Sequence, residues 1–392
     1  MITRHFWIGR IEHAWTRHPV VWLMGVRRAG KTLLARSLAG ALYFDCELPS
    51  VRRMLNDPES FLDRHRGSRI VLDEVHRLAN PSEILKIAAD HYPDTRVLAT
   101  GSSSLGASIK FRDTLTGRKT DIWLTPMNSA DCEDFAIQPL DFRLVRGGLP
   151  AYATGDEPGE KEYAEWMESY LVKDIQELFR LDRWSSFRRF LELVIVQSGG
   201  IFEATRFAAP CEVSRPTIAT YLGFLERTFV AHVIRPFSTR RATEIVAAPK
   251  VYAFDTGFVC AYRGWTSLRP GDHGPLWEHY VLNEIHSYLP ALEVQYWRDK
   301  QRNEVDFVVI PRRGRPPVAI ECKWSADDFD PKSLKPFRAL YEEGPTYVVS
   351  SNVRTSFSRT WGRMRVEFVS VEGLIAELSR LTGAAARKRA AH

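Results

Sequence analysis

The chain has 392 residues, 44% hydrophobic and 26% charged, the composition of a globular protein long enough for two or three domains. No apolar run reaches the ~18 residues of a membrane span, and Met1–Trp7 lacks an apolar signal core, so no membrane association is expected. The five cysteines form no C-x-x-C pair and no metal-ligand spacing, which fits reduced thiols and a cytoplasmic setting, while a net charge of +6 permits a polyanionic partner.

Strand-like runs at 19–24, 42–45, 69–73, 95–100 and 120–125 alternate with helical stretches across residues 1–150. That is the pattern of a parallel sheet covered by helices. After the first run comes Gly25-Val26-Arg27-Arg28-Ala29-Gly30-Lys31-Thr32, which fits G-x-x-x-x-G-K-[ST] without mismatch. The glycines let backbone N–H groups turn inward around an anion. Lys31 is expected to reach the β- and γ-phosphates, and the Thr32 hydroxyl to ligate Mg²⁺. A helix expected over Thr32–Leu42 turns its positive N-terminus to the same phosphates. The candidate nucleotide contacts are Gly25, Arg28, Ala29, Gly30, Lys31, Thr32 and Leu33.

The third run ends Ile70-Val71-Leu72-Asp73-Glu74, a buried strand leading to two carboxylates in the Walker B manner. Asp73 would hold the Mg²⁺ shell, and Glu74 would orient and deprotonate the attacking water. The fourth strand, expected between the two Walker strands, ends in Thr100-Gly101-Ser102. Thr100 or Ser102 is the candidate sensor of the γ-phosphate, with a helix-capping turn as the alternative. Arg118 precedes the fifth strand and is a candidate for stabilising transition-state charge, in cis or from a neighbouring subunit. Lys119 and Arg112 are its rivals, and simple solvation is an equal alternative.

Residues 151–265 begin with helical periodicity over 160–198. Ser214–Glu226 then reads as a recognition-type helix, with Ser214 as N-cap, Pro216 in the first turn, and Ile218, Tyr221, Leu222 and Leu225 inward. Arg215, Thr217 and Thr220 would face outward. Two β-like runs, Ala231–Pro236 and Lys250–Phe254, flank a basic segment with Arg240 and Arg241, and Arg235 and Lys250 add to its charge. This is a winged-helix order, suited to DNA phosphates or to a lid or subunit contact.

Residues 266–380 read as a helix over 276–285, strands at 294–298, 304–310 and 318–323, a helix at 331–342 and a strand at 346–350. A strand alternates faces, so Glu321 and Lys323 share a side while Cys322 opposes them. Asp306 on the neighbouring strand can share a divalent ion with Glu321, and Lys323 can position or activate a water. Glu284 or Glu278 on the helix would complete the site, Glu284 being the favoured ligand. This α-β-β-β-α-β order with Asp and then Glu-x-Lys resembles the PD-(D/E)XK nuclease fold. Arg312, Arg313 and Arg315 form a further basic group, and residues 381–392 are a basic tail.

Taken together, Gly25–Thr32, Ile70–Glu74, Thr100–Ser104, Leu115–Arg118, Arg146–Pro150, Lys250–Gly257 and Asn303–Phe307 resemble the bacterial and archaeal AAA-type (AAA_14) ATPases whose C-terminal part is called DUF4143. The resemblance spans nearly the whole chain. It implies an α/β P-loop NTPase sheet, then a winged helix, then a nuclease-like α/β domain. It also implies that Gly148 and Pro150 contact the nucleotide, with a tight interdomain turn as the alternative. The expected cofactors are ATP and Mg²⁺, with Mg²⁺ or Mn²⁺ at the second site. The expected partner is DNA, remodelled or cut, with a nucleotide-switched protein-binding role as the alternative and a homo-oligomer, a hexameric ring in its favoured form.

Overall fold

The computed structural model describes residues 2–101, 115–155, 159–179, 181, 183–238 and 248–383. The chain divides into two compact units: Met1–Arg188 with Ala219–Val230, and Arg189–Ile218 with Ala231–His392.

The first unit is built on five strands, β1 (Val20–Met24), β2 (Ala41–Asp45), β3 (Arg69–Asp73), β4 (Arg96–Thr100) and β5 (Lys119–Trp123), in the order β2-β3-β4-β1-β5. Every pairing is parallel. Such strands are buried on both faces and read as unbroken apolar runs. Val20, Trp22, Ile70, Leu72, Val97 and Ala99 accordingly form one core with Ile84, Leu85 and Ala88 of the helix Pro81–His91. The order places β4 between the strands that end in the two Walker motifs, as the sequence suggests.

The helix after the loop is shorter than expected, Lys31–Arg36 rather than Thr32–Leu42. Ser37 ends it by donating its hydroxyl to the Leu34 carbonyl at 2.7 Å. Gly40 then takes a left-handed φ of 68° and turns the chain into β2. Downstream, Glu160–Tyr170 continues through a π-helical turn, Leu171–Ile175, into Gln176–Phe179.

The second unit holds one sheet of nine strands. These are β6 (Gly200–Ile201), β7 (Ala231–Pro236), β8 (Lys250–Ala253), β9 (Val294–Arg298), β10 (Glu304–Val309), β11 (Val318–Lys323), β12 (Thr346–Ser350), β13 (Phe357–Trp361) and β14 (Met364–Val369). Their order is β13-β14-β12-β11-β10-β9-β7-β8-β6. β9, β10 and β11 form an antiparallel meander, and β11 pairs in parallel with β12. The parallel contact of β7 with β9 merges strands that the sequence assigns to separate domains, 151–265 and 266–380. Two edge hydrogen-bonding rows meet there, which leaves neither exposed. The helix Pro270–Tyr288 is longer than the expected 276–285, with Arg269 preceding a proline at its first turn.

Candidate functional site

The loop after β1 is shaped by its two glycines. Gly25 has φ 156°, and a Cβ there would lie 2.4 Å from the Leu124 carbonyl oxygen. Gly30 has φ 95° and stands immediately before the helix Lys31–Arg36, so its left-handed backbone aims the following N–H groups into the loop. Lys31 Nζ donates to the Gly25 and Val26 carbonyls at 2.9 and 3.2 Å. It must exchange these bonds for phosphate oxygens when nucleotide enters. Burial lowers the Lys31 pKa, opposed by Glu74, Asp174 and Asp73. Thr32 is half-buried and Leu33 exposed.

Asp73 is buried, and both its oxygens are held. Tyr43 donates to Oδ2 at 2.5 Å, and the Thr100 hydroxyl donates to Oδ1. Thr100 also accepts from the Glu74 N–H at 3.2 Å. The fully buried Thr100 thus locks both Walker B residues, and its hydroxyl is committed to protein groups rather than turned toward a phosphate. Asp73 and Thr32 fit a Mg²⁺ ion held partly through water, since the carboxylate oxygens already have protein donors.

Glu74 has a left-handed backbone, φ 54° and ψ 43°, a strained conformation for a non-glycine residue and one concentrated at functional sites. Its Oε2 lies 3.1 Å from His76 Nδ1. Burial pushes the Glu74 carboxyl up, but His76, Lys31 and Arg27 outweigh it, and the net shift is downward. The Glu74 carboxyl is therefore ionised at neutral pH.

Several residues that sequence patterns missed clamp this loop. Arg4 donates to the Ala29 carbonyl at 2.8 Å and pairs with Asp131 at 2.6 Å. Asp131 also accepts from Trp7 Nε1 at 2.9 Å. Trp166 Nε1 donates to the Arg27 carbonyl at 3.0 Å, and Arg27 Nε donates to Asp174 at 3.0 Å. Arg28 donates to the Tyr152 hydroxyl at 3.1 Å. These partners lie far from the loop in sequence and match no motif. The only local signal was the charge itself, since a buried Asp or Arg demands a partner.

Of the other expected residues, Pro150 packs on the loop, with its Cγ 3.5 Å from where a Gly30 Cβ would stand. Gly148 instead lets Arg143 and Met127 approach: a Cβ there would lie 2.2 Å from Arg143 Nη2. Arg118 pairs with Asp90 at 2.7 Å and Lys119 pairs with Asp121, so both charges are engaged within the chain. Ser102, Arg112, Arg240, Arg241 and residues 384–392 lie outside the described residues.

In the second unit, Asp306, Lys323 and Glu278 line a cavity of about 570 Å³, together with His273, Trp324 and Asp328. Asp306 sits where the β9–β10 register shifts, between Val305 and Val308. Such irregularities re-aim a side chain, and Asp306 Oδ2 reaches across to accept from the Cys322 N–H at 2.8 Å. Glu321 and Lys323 share a face and pair at 3.0 Å. Glu321 Oε1 is buried without a hydrogen-bond partner. Burial and then Asp306 push the Glu321 carboxyl up to about 8, against the opposing pull of Lys323. Burial acts to lower Lys323, but Asp306 and Glu321 outweigh it and hold the ammonium above its ordinary range.

Two expectations are corrected here. Glu278, rather than Glu284, faces the cavity. Glu284 lies six positions on along the same helix, about 240° around it, and is buried elsewhere. Lys250 is not part of an exposed basic wing. It is buried and pairs with Glu278 at 2.8 Å and Glu304 at 2.6 Å, while Tyr252 donates to the same Glu278. Among the described residues no group of three or more His, Cys, Asp and Glu side chains is arranged to hold a metal. Asp306 and Glu321 are two of the carboxylates of this region, and the buried Glu321 Oε1 has no hydrogen-bond partner.

Residues 17–132 match a family model described as an AAA domain. The first unit thus carries an AAA domain. Residues 137–269 match a domain of unknown function, DUF8612, and residues 273–366 match another, DUF4143. The uncharacterized proteins Rv2008c of Mycobacterium tuberculosis and Mb2031c of Mycobacterium bovis are each 27% identical over 328 residues, covering 81% of this chain and 73% of the relative. The Walker-type ATPase PABY2304 of Pyrococcus abyssi aligns at 14% identity and a TM-score of 0.44, over 67% of this chain and 96% of its own. The DNA clamp loader delta protein YqeN of Bacillus subtilis aligns at 12% identity and a TM-score of 0.26, over 70% and 98%. In the AAA domain the loop, Asp73, Glu74 and Thr100 stand together at the carboxyl ends of adjacent parallel strands, where α/β sheets bind ligands. No helix among the described residues is long and apolar enough to cross a membrane.

Proposed function

We propose that the protein is a cytoplasmic, ATP-driven DNA-binding protein that remodels or cuts DNA, its AAA domain hydrolysing Mg-ATP and its second unit acting on the nucleic acid. In the AAA domain, the ionised Glu74 takes the proton of the attacking water, Lys31 meets the terminal phosphates, and Asp73 fixes the magnesium shell. The order helix Trp184–Val196, β6, helix Ala204–Ala208, helix Arg215–Arg227, β7, β8, with β8 between the other two strands, supports the winged-helix reading. Ser214 Oγ accepts from the Thr217 N–H at 3.3 Å as the helix cap, and Arg215 and Thr220 are exposed.

The observation that carries the nuclease-like reading is that Asp306 and Lys323 line one cavity, with Glu321 paired to Lys323 and its buried Oε1 unpartnered. Asp306 and Glu321 would hold a divalent ion, which supplies Lewis-acid charge for a scissile phosphate when bound. Lys323 keeps its proton and serves as a cationic donor, orienting water or a phosphate oxygen rather than acting as a base. A homo-oligomer with Arg118 reaching a neighbouring nucleotide requires Arg118 to leave Asp90.

The test is ATP turnover with and without DNA, together with cutting of duplex, single-stranded and branched DNA in Mg²⁺ or Mn²⁺. Lys31→Ala is expected to abolish turnover, and Asp306→Ala and Lys323→Ala to abolish cutting. Turnover that survives Lys31→Ala refutes the ATPase assignment, and DNA left intact across the panel refutes cutting. A second reading, a nucleotide-switched protein-binding role, is favoured by the internal compensation of Glu321 by Lys323 and of Glu278 by Lys250. It gains if DNA shows no salt-dependent binding and leaves ATP turnover unchanged.

A further inference from the structure

The phosphate-binding loop already has an anion against it. Arg27, third residue of the loop, donates its Nε to Asp174 Oδ2 at 3.0 Å, and the Asp174 side chain is only 5% exposed. The helical segment that carries Asp174 also holds the Arg27 backbone, through Trp166 Nε1. Asp174 lies in the π-helical turn Leu171–Ile175, between α-helical stretches on either side. Single π turns inside α-helices mark functional positions. Burial raises the Asp174 carboxyl, and Arg27 and then Lys31 oppose this in part, so this carboxylate feels two of the loop's three cations.

We propose that Asp174 is a specificity-determining residue of the nucleotide site, competing with the terminal phosphate of a nucleoside triphosphate for Arg27, so that the segment Glu160–Phe179 responds to triphosphate and not to diphosphate. The inference rests on nucleotide binding at the loop Gly25–Thr32. Its logic is charge: a triphosphate brings one more phosphoryl group than a diphosphate to a loop that already faces a buried carboxylate. In a poorly solvated site an Arg27 already paired with Asp174 has less attraction left for an added phosphoryl group. Asp174 therefore weakens triphosphate binding more than diphosphate binding. Loss of the Arg27–Asp174 bond then frees the side chain that anchors the π turn.

The experiment measures ATP and ADP affinities of the full chain with Mg²⁺, using wild type, Asp174→Asn, Arg27→Gln and the double variant. Asp174→Asn is expected to tighten ATP binding about tenfold and ADP binding by less than about threefold. In the Arg27→Gln background the same change should alter the ATP-to-ADP ratio by less than about twofold. Hydrogen exchange of the Leu171–Gln176 amides should be faster in wild type with a non-hydrolysable ATP analogue than with ADP. An unchanged ATP-to-ADP ratio in Asp174→Asn, or equal weakening of both nucleotides, overturns the proposal and leaves Asp174 as a prop for Arg27. Should Asp174→Asn fail to fold, the wild-type exchange comparison decides, and equal exchange with both nucleotides overturns the proposal. Wild type that binds neither nucleotide refutes the loop reading itself, a distinct outcome from binding with an unchanged ratio.

Discussion

Thr100→Val separates two roles for the fourth strand's terminal hydroxyl. Valine matches threonine in shape but lacks the oxygen that donates to Asp73 and accepts from the Glu74 N–H. A hydrogen bond to a charged group contributes about 1.5–3 kcal/mol, and a buried N–H stripped of its acceptor costs about 1–3 kcal/mol. The two losses share one site, and Tyr43 still holds the other Asp73 oxygen, so about 3 kcal/mol is expected in total. For a folding unit of this size each kcal/mol moves the melting temperature by about 2–4 °C. The nucleotide-free protein should therefore unfold roughly 6–12 °C earlier. Turnover should fall ~10- to 100-fold, because Asp73 and Glu74 both lose a locating contact, while KM for ATP changes little. Thr100→Ser restores both properties. The assay pairs thermal unfolding without nucleotide with steady-state ATP hydrolysis. A variant that melts like wild type yet loses turnover would refute the structural role and return Thr100 to direct contact with the phosphate.

Glu74→Gln keeps the shape but removes the base, and a turnover loss of about 10²- to 10⁴-fold is expected with nucleotide binding retained. Arg4→Ala strands the buried Asp131 carboxylate. Trp7 and the Asn128 N–H still support it, so a cost near the low end of the usual range, about 3 kcal/mol, should appear in urea unfolding. Lys250→Met leaves Glu278 without its cation, while Glu304 keeps Arg298 at 3.5 Å, and should cost about 3 kcal/mol. The salt dependence of any DNA binding should be unchanged, because Lys250 is no phosphate contact. Glu321 has a folded-state pKa of about 8 against an ordinary 4.5. The folded state then binds the extra proton, so this group's contribution to stability falls as pH rises from about 4.5 to about 8. Glu321→Gln should flatten that part of the pH–stability curve, and an unaltered slope would refute the shift.

The AAA sheet was legible because its inner strands carry short buried apolar runs, residues 20–23, 70–72 and 97–99. The loop and Walker B carry their chemistry in adjacent residues, so spacing alone located them. Ser214, Ile218, Tyr221, Leu222 and Leu225 were likewise readable from helical period and capping. What failed was anything that depends on long-range pairing. Lys250 looks like wing charge until Glu278 and Glu304 are brought to it from elsewhere in the chain. The helical period does not say which of Glu278 and Glu284 faces inward until the sheet is beside it. β13 is almost wholly exposed, so its Phe-Ser-Arg-Thr-Trp run carries no alternation to read, and the β13–β14 hairpin went unanticipated. The clamp on the nucleotide loop uses Arg4, Asp131, Trp166 and Asp174, scattered across the first unit and tied to no motif.

The two glutamates on which the proposed function turns sit in opposite electrostatic settings. Glu74 is surrounded by His76, Lys31 and Arg27, and its carboxyl titrates below the ordinary range. Glu321 is burdened by burial, Asp306 and Glu278, which outweigh the pull of Lys323, and its carboxyl titrates far above the ordinary range. The loop of the AAA domain thus faces an ionised Glu74, the base on the proposed reading. On the nuclease-like reading the cavity behaves differently. Its Glu321 gives up a proton near neutral pH only when a divalent cation compensates the crowded carboxylates, so metal affinity there should rise with pH up to about 8. Ionisation of the second site then follows metal occupancy, whereas ionisation of the first is fixed by the fold. The same side chain titrates low in one unit and high in the other, because the neighbours supply cations in one case and carboxylates in the other, and on the proposed reading this makes one a ready base and the other a metal-dependent ligand.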